Sequence, residues 1–355
     1  MQRINFSTTT SGDYSMKKSL LALAVLGAFA GAAQAQTSVT IYGSFDGGLR
    51  HTNPSVGSSN LTMGSNGTYN SNRIGFRGVE DLGGGMNAHF TLETGFNTGT
   101  GAFDNAANVI FNRSAYVGLG GAWGSVDLGR QYSVNFKTIG GYDPFAYKYT
   151  GIIPLAGVAG LTRLNNDIQY TGAFGPVTVR AEYALGEVAG DTGAGATAAV
   201  GASFKTGPFS FGGAYTAGER NVAVAPATSF QDKKTWTVGG AFATGPFRVA
   251  GGYANDEQDM GVGIQETETE NAWIGGSFNF TPAAAITAGY YRTEADTAGP
   301  ANVRRNLVIV GGTYNLSKRT NFYADVDVAK TRVSAGGVSA STRLTGFSVG
   351  VNHLF

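Results

Sequence analysis

Cysteine is absent from this 355-residue chain, which excludes disulfides and any metal site built on thiolates. Histidine is scarce. His51, His89 and His353 are the whole set, they lie in separate segments, and no triad spacing, G-x-x-x-x-G-K loop or His-x-x-x-His pair accompanies them. Charge of one sign is missing as well: 25 basic residues stand against 24 acidic ones, far from the basic surface that nucleic acid requires. Beyond residue 35 no stretch approaches 18 apolar residues in a row, so no helix is available to hold the chain in a bilayer. Nothing in the sequence implies a cofactor.

One apolar run stands at the front. Met16-Lys17-Lys18 begins it, Leu20 to Ala33 fill it, and Ala33-Gln34-Ala35 closes it with a small-x-small pattern. This predicts a secretory leader over 1–35, cleaved after Ala35, and a mature chain over 36–355. Residues 1–15 precede a second Met and read as polar and structureless, as an upstream start would leave them. A retained membrane helix fits less well, because the run is short, broken by small residues and followed at once by a strand pattern. Losing Arg3, Lys17, Lys18 and Asp13 with the leader takes the formal charge from +1 to −1.

The full chain is rich in glycine, with 55 residues in all, and in Phe (22) and Tyr (16), nearly all of them beyond residue 35. The glycines follow no collagen period and sit among aromatic and β-branched residues, where they let a sheet bend. Alternation is the dominant pattern. Phe347, Val349, Val351 and Phe355 share one face of the closing segment, with Ser348, Gly350 and Asn352 on the other. Val177, Val179, Ala181, Tyr183 and Leu185 oppose Thr178, Arg180 and Glu182. Phe322, Ala324, Val326 and Val328 oppose Tyr323, Asp325 and Asp327. An edge strand ending a soluble protein frays or recruits strangers; a closed membrane barrel pairs its closing strand with its first. Charge on the second face implies a wet interior.

Sixteen strands are predicted, near 38–50, 70–81, 86–97, 111–120, 124–131, 164–173, 177–185, 198–206, 209–217, 233–243, 247–255, 269–280, 284–294, 303–315, 321–331 and 341–355. Their connections alternate between tight turns, such as Phe174-Gly175-Pro176, Gly207-Pro208 and Gly245-Pro246, and long polar loops over 51–69, 98–110, 186–197, 218–232, 256–268 and 332–340. The pattern predicts an all-β fold: a transmembrane, antiparallel, up-and-down β-barrel of 16 strands with short periplasmic turns and longer external loops. The segment Tyr132 to Leu161 departs from the rest. It carries Phe136, Ile139, Tyr142, Phe145, Tyr147, Tyr149, Ile152, Ile153 and Leu155, an apolar load that points to folding into the barrel and narrowing the pore. A cap on the outer rim or a contact with a neighbouring subunit is the alternative.

Several of these runs together resemble the general trimeric porins of Gram-negative outer membranes, most closely the β-proteobacterial ones. They are Ser38-Val39-Thr40-Ile41-Tyr42-Gly43, the stretch Ser71-Asn72-Arg73-Ile74-Gly75-Phe76-Arg77-Gly78-Val79-Glu80-Asp81-Leu82-Gly83-Gly84-Gly85, the segment Gly124-Ser125-Val126-Asp127-Leu128-Gly129-Arg130, and the closing Asn352-His353-Leu354-Phe355. The resemblance spans the mature chain. It implies a homotrimer of 16-stranded barrels in outer-membrane lipid, passing small hydrophilic solutes and ions, with the third external loop folded inward. It also implies wall arginines at Arg73, Arg113 and Arg163 facing acidic loop residues, and a terminal Phe355 read by the barrel assembly machinery.

Parity alone puts Arg73 and Arg77 inward, opposite Ile74 and Phe76, and Arg50 inward with Thr40, Ser44 and Asp46. Parity for Arg113 is ambiguous, because Tyr116 and Val117 pull in opposite directions. Arg130 has the outward parity of Val126 and Leu128; a charge in lipid is costly, which points to the rim or a subunit interface. The long segment offers one carboxylate, Asp143, against Lys137 and Lys148. Relatives with several acidic loop residues favour cations, so this departure points toward anions, drawn by clustered guanidiniums in a low-dielectric constriction. Two other functions compete. Tyr132, Tyr142, Phe145, Tyr147 and Tyr149 could stack on sugars or aromatic acids in a substrate-specific channel, and an outer-membrane hydrolase is a remoter option.

Overall fold

The computed structural model describes residues 38–63, 68–149, 162–224 and 227–355; the leader expected over 1–35 and the loop residues Ile152, Ile153 and Leu155 lie outside them. The strands are β1 (Ser38–Pro54), β2 (Asn60–Met63), β3 (Arg73–Gly83), β4 (Met86–Gly95), β5 (Ser114–Gly121), β6 (Gly124–Tyr132), β7 (Arg163–Phe174), β8 (Val177–Ala184) and β9 (Thr197–Thr206). They continue as β10 (Phe209–Val224), β11 (Ala227–Thr244), β12 (Phe247–Gln258), β13 (Thr267–Asn279), β14 (Ala284–Asp296), β15 (Ala301–Asn315), β16 (Thr320–Ala335) and β17 (Val338–Leu354). A short helix, α1 (Val134–Ile139), follows β6.

All neighbours pair antiparallel, and β1 closes the sheet. Its first half pairs with β3, from Ser38 opposite Val79 to Ser44 opposite Arg73, and the rest pairs with β17, from Ser44 opposite Leu354 to Pro54 opposite Leu344. β2 pairs only with β1 and belongs to the first external connection. The cylinder therefore has sixteen strands and no free edge, which is what a bilayer demands of a sheet, since unpaired backbone groups find no partner in hydrocarbon.

Burial is inverted relative to a soluble protein. Ser44, Asp46, Gln169 and Ser348 are fully buried, whereas Val39, Ile41, Val200 and Ile274 are each close to 60% exposed. Leaving such a side chain in water rather than hydrocarbon costs roughly 1.5–3 kcal/mol. An apolar belt around the whole wall makes lipid, not water, the outer solvent.

The predicted strands each correspond to an observed one, with shifts of a few residues at their ends. Two predicted loops are corrected. Residues 218–232 are mostly strand, because β10 and β11 run on to within two residues of each other, and 332–340 collapses to the hairpin Gly336-Gly337 between β16 and β17. The reason is physical: period-two hydrophobicity exists only where one face meets lipid. Above the membrane both faces are wet and the pattern vanishes, while the hydrogen-bond ladder continues.

At the opposite end the turns are tight. Gly207 and Gly245 adopt φ of 51° and 52°, a left-handed conformation that costs glycine little, each followed by a proline.

Candidate functional site

The connection between β6 and β7 begins with Ser133, whose hydroxyl accepts the Phe136 N–H (3.2 Å) and caps α1. A 3₁₀ turn over Gly140–Tyr142 follows. The wall positions that meet this segment all face inward. Val134 N–H donates to Glu182 Oε2 (2.8 Å) and Thr237 donates to Asn135 Oδ1 (3.0 Å). Trp273 Nε1 donates to the Tyr142 carbonyl (3.0 Å) and Tyr291 OH to Asp143 Oδ1 (2.6 Å). Arg248 donates to the Gly141 carbonyl at 2.5 Å, and to those of Asp143 and Pro144 at 3.3 and 3.4 Å. Residues 133–149 thus lie along the inside of β8–β16.

Glycine makes room for them. A Cβ at Gly239 would come within 2.8 Å of the Tyr142 side chain, and one at Gly201 within 2.8 Å of Val134 and Thr138. Ile139, Tyr142, Phe145 and Tyr149 pack with Trp273, Tyr291, Leu307, Ile309 and Tyr323, an apolar cluster inside an otherwise polar lumen.

Beside this segment a cavity of about 560 Å³ is walled by Arg73, Arg113, Arg163 and Lys148. Tyr132 OH accepts from Arg113 Nη2 and from Arg163 Nη2, both at 2.7 Å, so one phenol spaces two guanidiniums. The Arg163 guanidinium also lies 4.4 Å from the Tyr132 ring centroid. Arg113 is buried and held by Glu93 Oε1 at 2.6 Å, with Asp104 at 4.0 Å. Arg73 donates to Asn70 Oδ1 (3.3 Å), and the Lys148 ammonium sits 5.4 Å from the Tyr69 ring. Tyr132, Phe136 and Tyr147 form a stack, with centroids 4.8 and 4.2 Å apart, that lines the same space.

The site residues expected from sequence divide. Arg73, Arg113, Arg163 and Lys148 come together. Arg77 shares their face nearer the periplasmic end, over the Tyr42 ring (5.5 Å). Arg50 faces inward elsewhere, paired with Asp327 (2.8 Å) and Asp325 (3.7 Å). Asp143 does not oppose the arginines: it is fully buried, accepts Tyr291 OH and Tyr147 N–H (2.8 Å), and burial raises its carboxyl above the usual range. Tyr142 is likewise buried against the wall. Lys137 turns to Gln131 (3.0 Å) and Gln169, away from the cavity. Arg130 points outward at the external end of β6, where it donates to the Asn112 carbonyl (2.7 Å) and to Asn165. Both partners lie in its own chain.

Several acids of the lumen are tied to a partner, while buried Asp167 and Glu182 each keep one oxygen without a hydrogen bond among the described residues. Glu93 holds Arg113; Asp325 and Asp327 hold Arg50; Asp256 holds Lys233. Asp127 meets His89 at 2.7 Å. Asp46 accepts the N–H groups of Thr68, Tyr69 and Asn70 and the Tyr323 hydroxyl. Among the described residues no carboxylate lies within 4 Å of Arg73, Arg77, Arg163 or Lys148, nor of the inward Arg180, Lys205 and Arg248. Parity could have found Arg248, which alternates with Phe247 and Val249. Nothing in the sequence pairs Tyr132 with two arginines.

A sealed cylinder, apolar outside and lined with charge and hydroxyls, defines a membrane channel. The chain belongs to the Gram-negative porin family, whose sequence profile matches residues 22–334, and it is a multi-pass β-barrel of the outer membrane. Outer membrane porin protein 32 of Delftia acidovorans is 30% identical over 96% of this chain and 100% of that protein. An outer membrane porin protein of Bordetella pertussis is 44% identical over 37% of each chain. Among solved structures, one described as an anion-selective porin from Comamonas acidovorans shares the fold with a TM-score of 0.74 and 26% identity, covering 90% of this chain and 100% of that one. The relatives are channels, which leaves the hydrolase alternative unsupported.

Proposed function

We propose that this porin favours anions among the small hydrophilic solutes it passes by passive diffusion. One observation carries the reading: among the described residues no carboxylate lies within 4 Å of Arg73, Arg163 or Lys148 at the narrowing, Asp104 in the same cavity being turned to Arg113, while Glu93, Asp325 and Asp327 are tied to other cations. In a water-filled passage with low-dielectric walls, uncompensated charge concentrates counter-ions. The anion selectivity ascribed to the Comamonas acidovorans porin supports it. The reversal potential in a tenfold KCl gradient across a planar bilayer is expected to show chloride preference; a clear potassium preference ends the reading.

A second reading rests on the Tyr132–Phe136–Tyr147 stack beside the arginines, which suits planar organic anions. Saturable block of the current by benzoate, absent with acetate, tests it. The assembly proposed is a homotrimer, to be weighed by native mass spectrometry in detergent. Phe355 is proposed as the residue read by the assembly machinery in addition to its place in the seam.

A further inference from the structure

Tyr132 sits at the narrowing in a way that anchoring alone does not require. Its ring is held by the Arg163 guanidinium, 4.4 Å from the centroid, and by Phe136, stacked at 4.8 Å with an interplanar angle of 11°. Phe136 is stacked in turn on Tyr147 at 4.2 Å, and the Tyr147 hydroxyl donates to the Phe136 carbonyl (3.0 Å). The phenol oxygen of Tyr132 is thereby fixed where two guanidiniums converge, accepting from Nη2 of Arg113 and from Nη2 of Arg163, each at 2.7 Å. The two arginines come from different elements, Arg113 just ahead of β5 and Arg163 at the start of β7. Arg113 is anchored independently, through Nε to Glu93 Oε1 at 2.6 Å. Arg163 Nε is buried without a hydrogen-bond partner among the described residues, so the phenol is what ties this guanidinium to its neighbour.

Two guanidiniums that donate to one oxygen make the arrangement that captures an anion. Here the point of convergence is filled by an oxygen of the chain itself. A hydroxyl oxygen holds a guanidinium less tightly than an anion does, since charge-assisted bonds are roughly twice as strong as neutral ones. We propose that Tyr132 sets how long an anion stays at the narrowing: its hydroxyl stands in for the ion, taking up one N–H of each arginine. A passing anion then meets the field of the cluster without its closest pair of donors. Conduction needs binding strong enough to admit an ion and weak enough to release it. Arg73 and Lys148, in the same cavity, supply attraction, and the phenol eases release without removing any positive charge. Tyr132 is thus a positioning residue that acts through Arg113 and Arg163, and this role presupposes the anion preference proposed above. A ring that merely fastened the inward segment would need its stack but not its oxygen.

Tyr132→Phe separates the two, because it keeps the ring and its stack and removes the oxygen. Single-channel conductance recorded against KCl concentration is expected to half-saturate at about tenfold lower salt in the variant, the shift that one bond to a charged group is worth. Current at saturating salt should fall as release slows, and millimolar inorganic phosphate should block the variant while sparing the wild type. In an Arg163→Gln background the same change is expected to leave half-saturation nearly where it was, because the convergence is already gone. The reversal potential of the wild type is read alongside: potassium preference ends the anion reading and this role with it. Chloride preference with equal half-saturation in wild type and Tyr132→Phe overturns the role of Tyr132 alone. A conductance raised by one factor at every salt concentration overturns it as well and makes the phenol a fastening of the segment. So does an undiminished shift in the Arg163→Gln background.

Discussion

Lys148 differs from its arginine neighbours in being able to lose its charge near neutrality. Burial, and Arg73 close by, bring its ammonium down to about 8. Below that pH it adds a positive charge to the cavity and above it adds none. Anion preference is therefore expected to fall as pH rises from about 7 to about 9, and Lys148→Arg is expected to flatten the dependence, since a guanidinium stays charged; reversal potentials recorded at several pH values check both. Arg73→Glu and Arg163→Glu each exchange a cation for an anion at the narrowing and should move the reversal potential toward potassium, where an unchanged value would remove these residues from the selectivity path. The reach of sequence reasoning at this scale is visible in Arg73 and Arg113. Arg73 lies within a strand and its direction follows from alternation. Arg113 precedes β5, and its direction is set by Glu93 and Tyr132, two partners that no local pattern connects to it.

The inward segment is held by a few specific fastenings rather than by a broad core. Tyr291 OH, Trp273 Nε1 and Arg248 bind its polar groups, while Gly201 and Gly239 yield the space it occupies. Tyr291→Phe leaves buried Asp143 without one of its donors, a loss of about 1–3 kcal/mol. Gly239→Val drives a side chain into Tyr142. Both are expected to loosen the segment, giving larger and noisier single-channel steps without loss of the barrel, read from conductance histograms and heat-modifiable gel mobility. The strands were legible because lipid on one side imposes period two, and the odd character of 132–161 was legible from its aromatic load. The docking partners were not. In β15 the run Leu307-Val308-Ile309-Val310 is apolar on both faces, because hydrocarbon covers one and the inward segment the other. That hides the parity that would have named the inner pair. Asp143 misled for a related reason: a carboxylate in a pore loop reads as facing water until Tyr291 and the Tyr147 N–H are seen around it.

Across the molecule, selectivity rests on a field rather than on a filter, so it is expected to weaken with salt. Raising KCl from about 0.1 to about 1 M shortens screening from roughly 10 to roughly 3 Å, and the permeability ratio should approach that of free solution; a ratio independent of salt would point to direct ion binding instead. The seam is equally a property of the whole. β1 is shared between β3 and β17, Phe355 exchanges backbone hydrogen bonds with Gly43 at 3.2 and 3.3 Å, and its ring lies 5.7 Å from that of Phe45. The two ends of the wall thus have little slack, whereas Gly336-Gly337 joins β16 and β17 beyond the point where the lumen is shaped. A foreign peptide spliced between those two glycines would be carried on the cell's outside for antibodies to find, with the current through the channel left running.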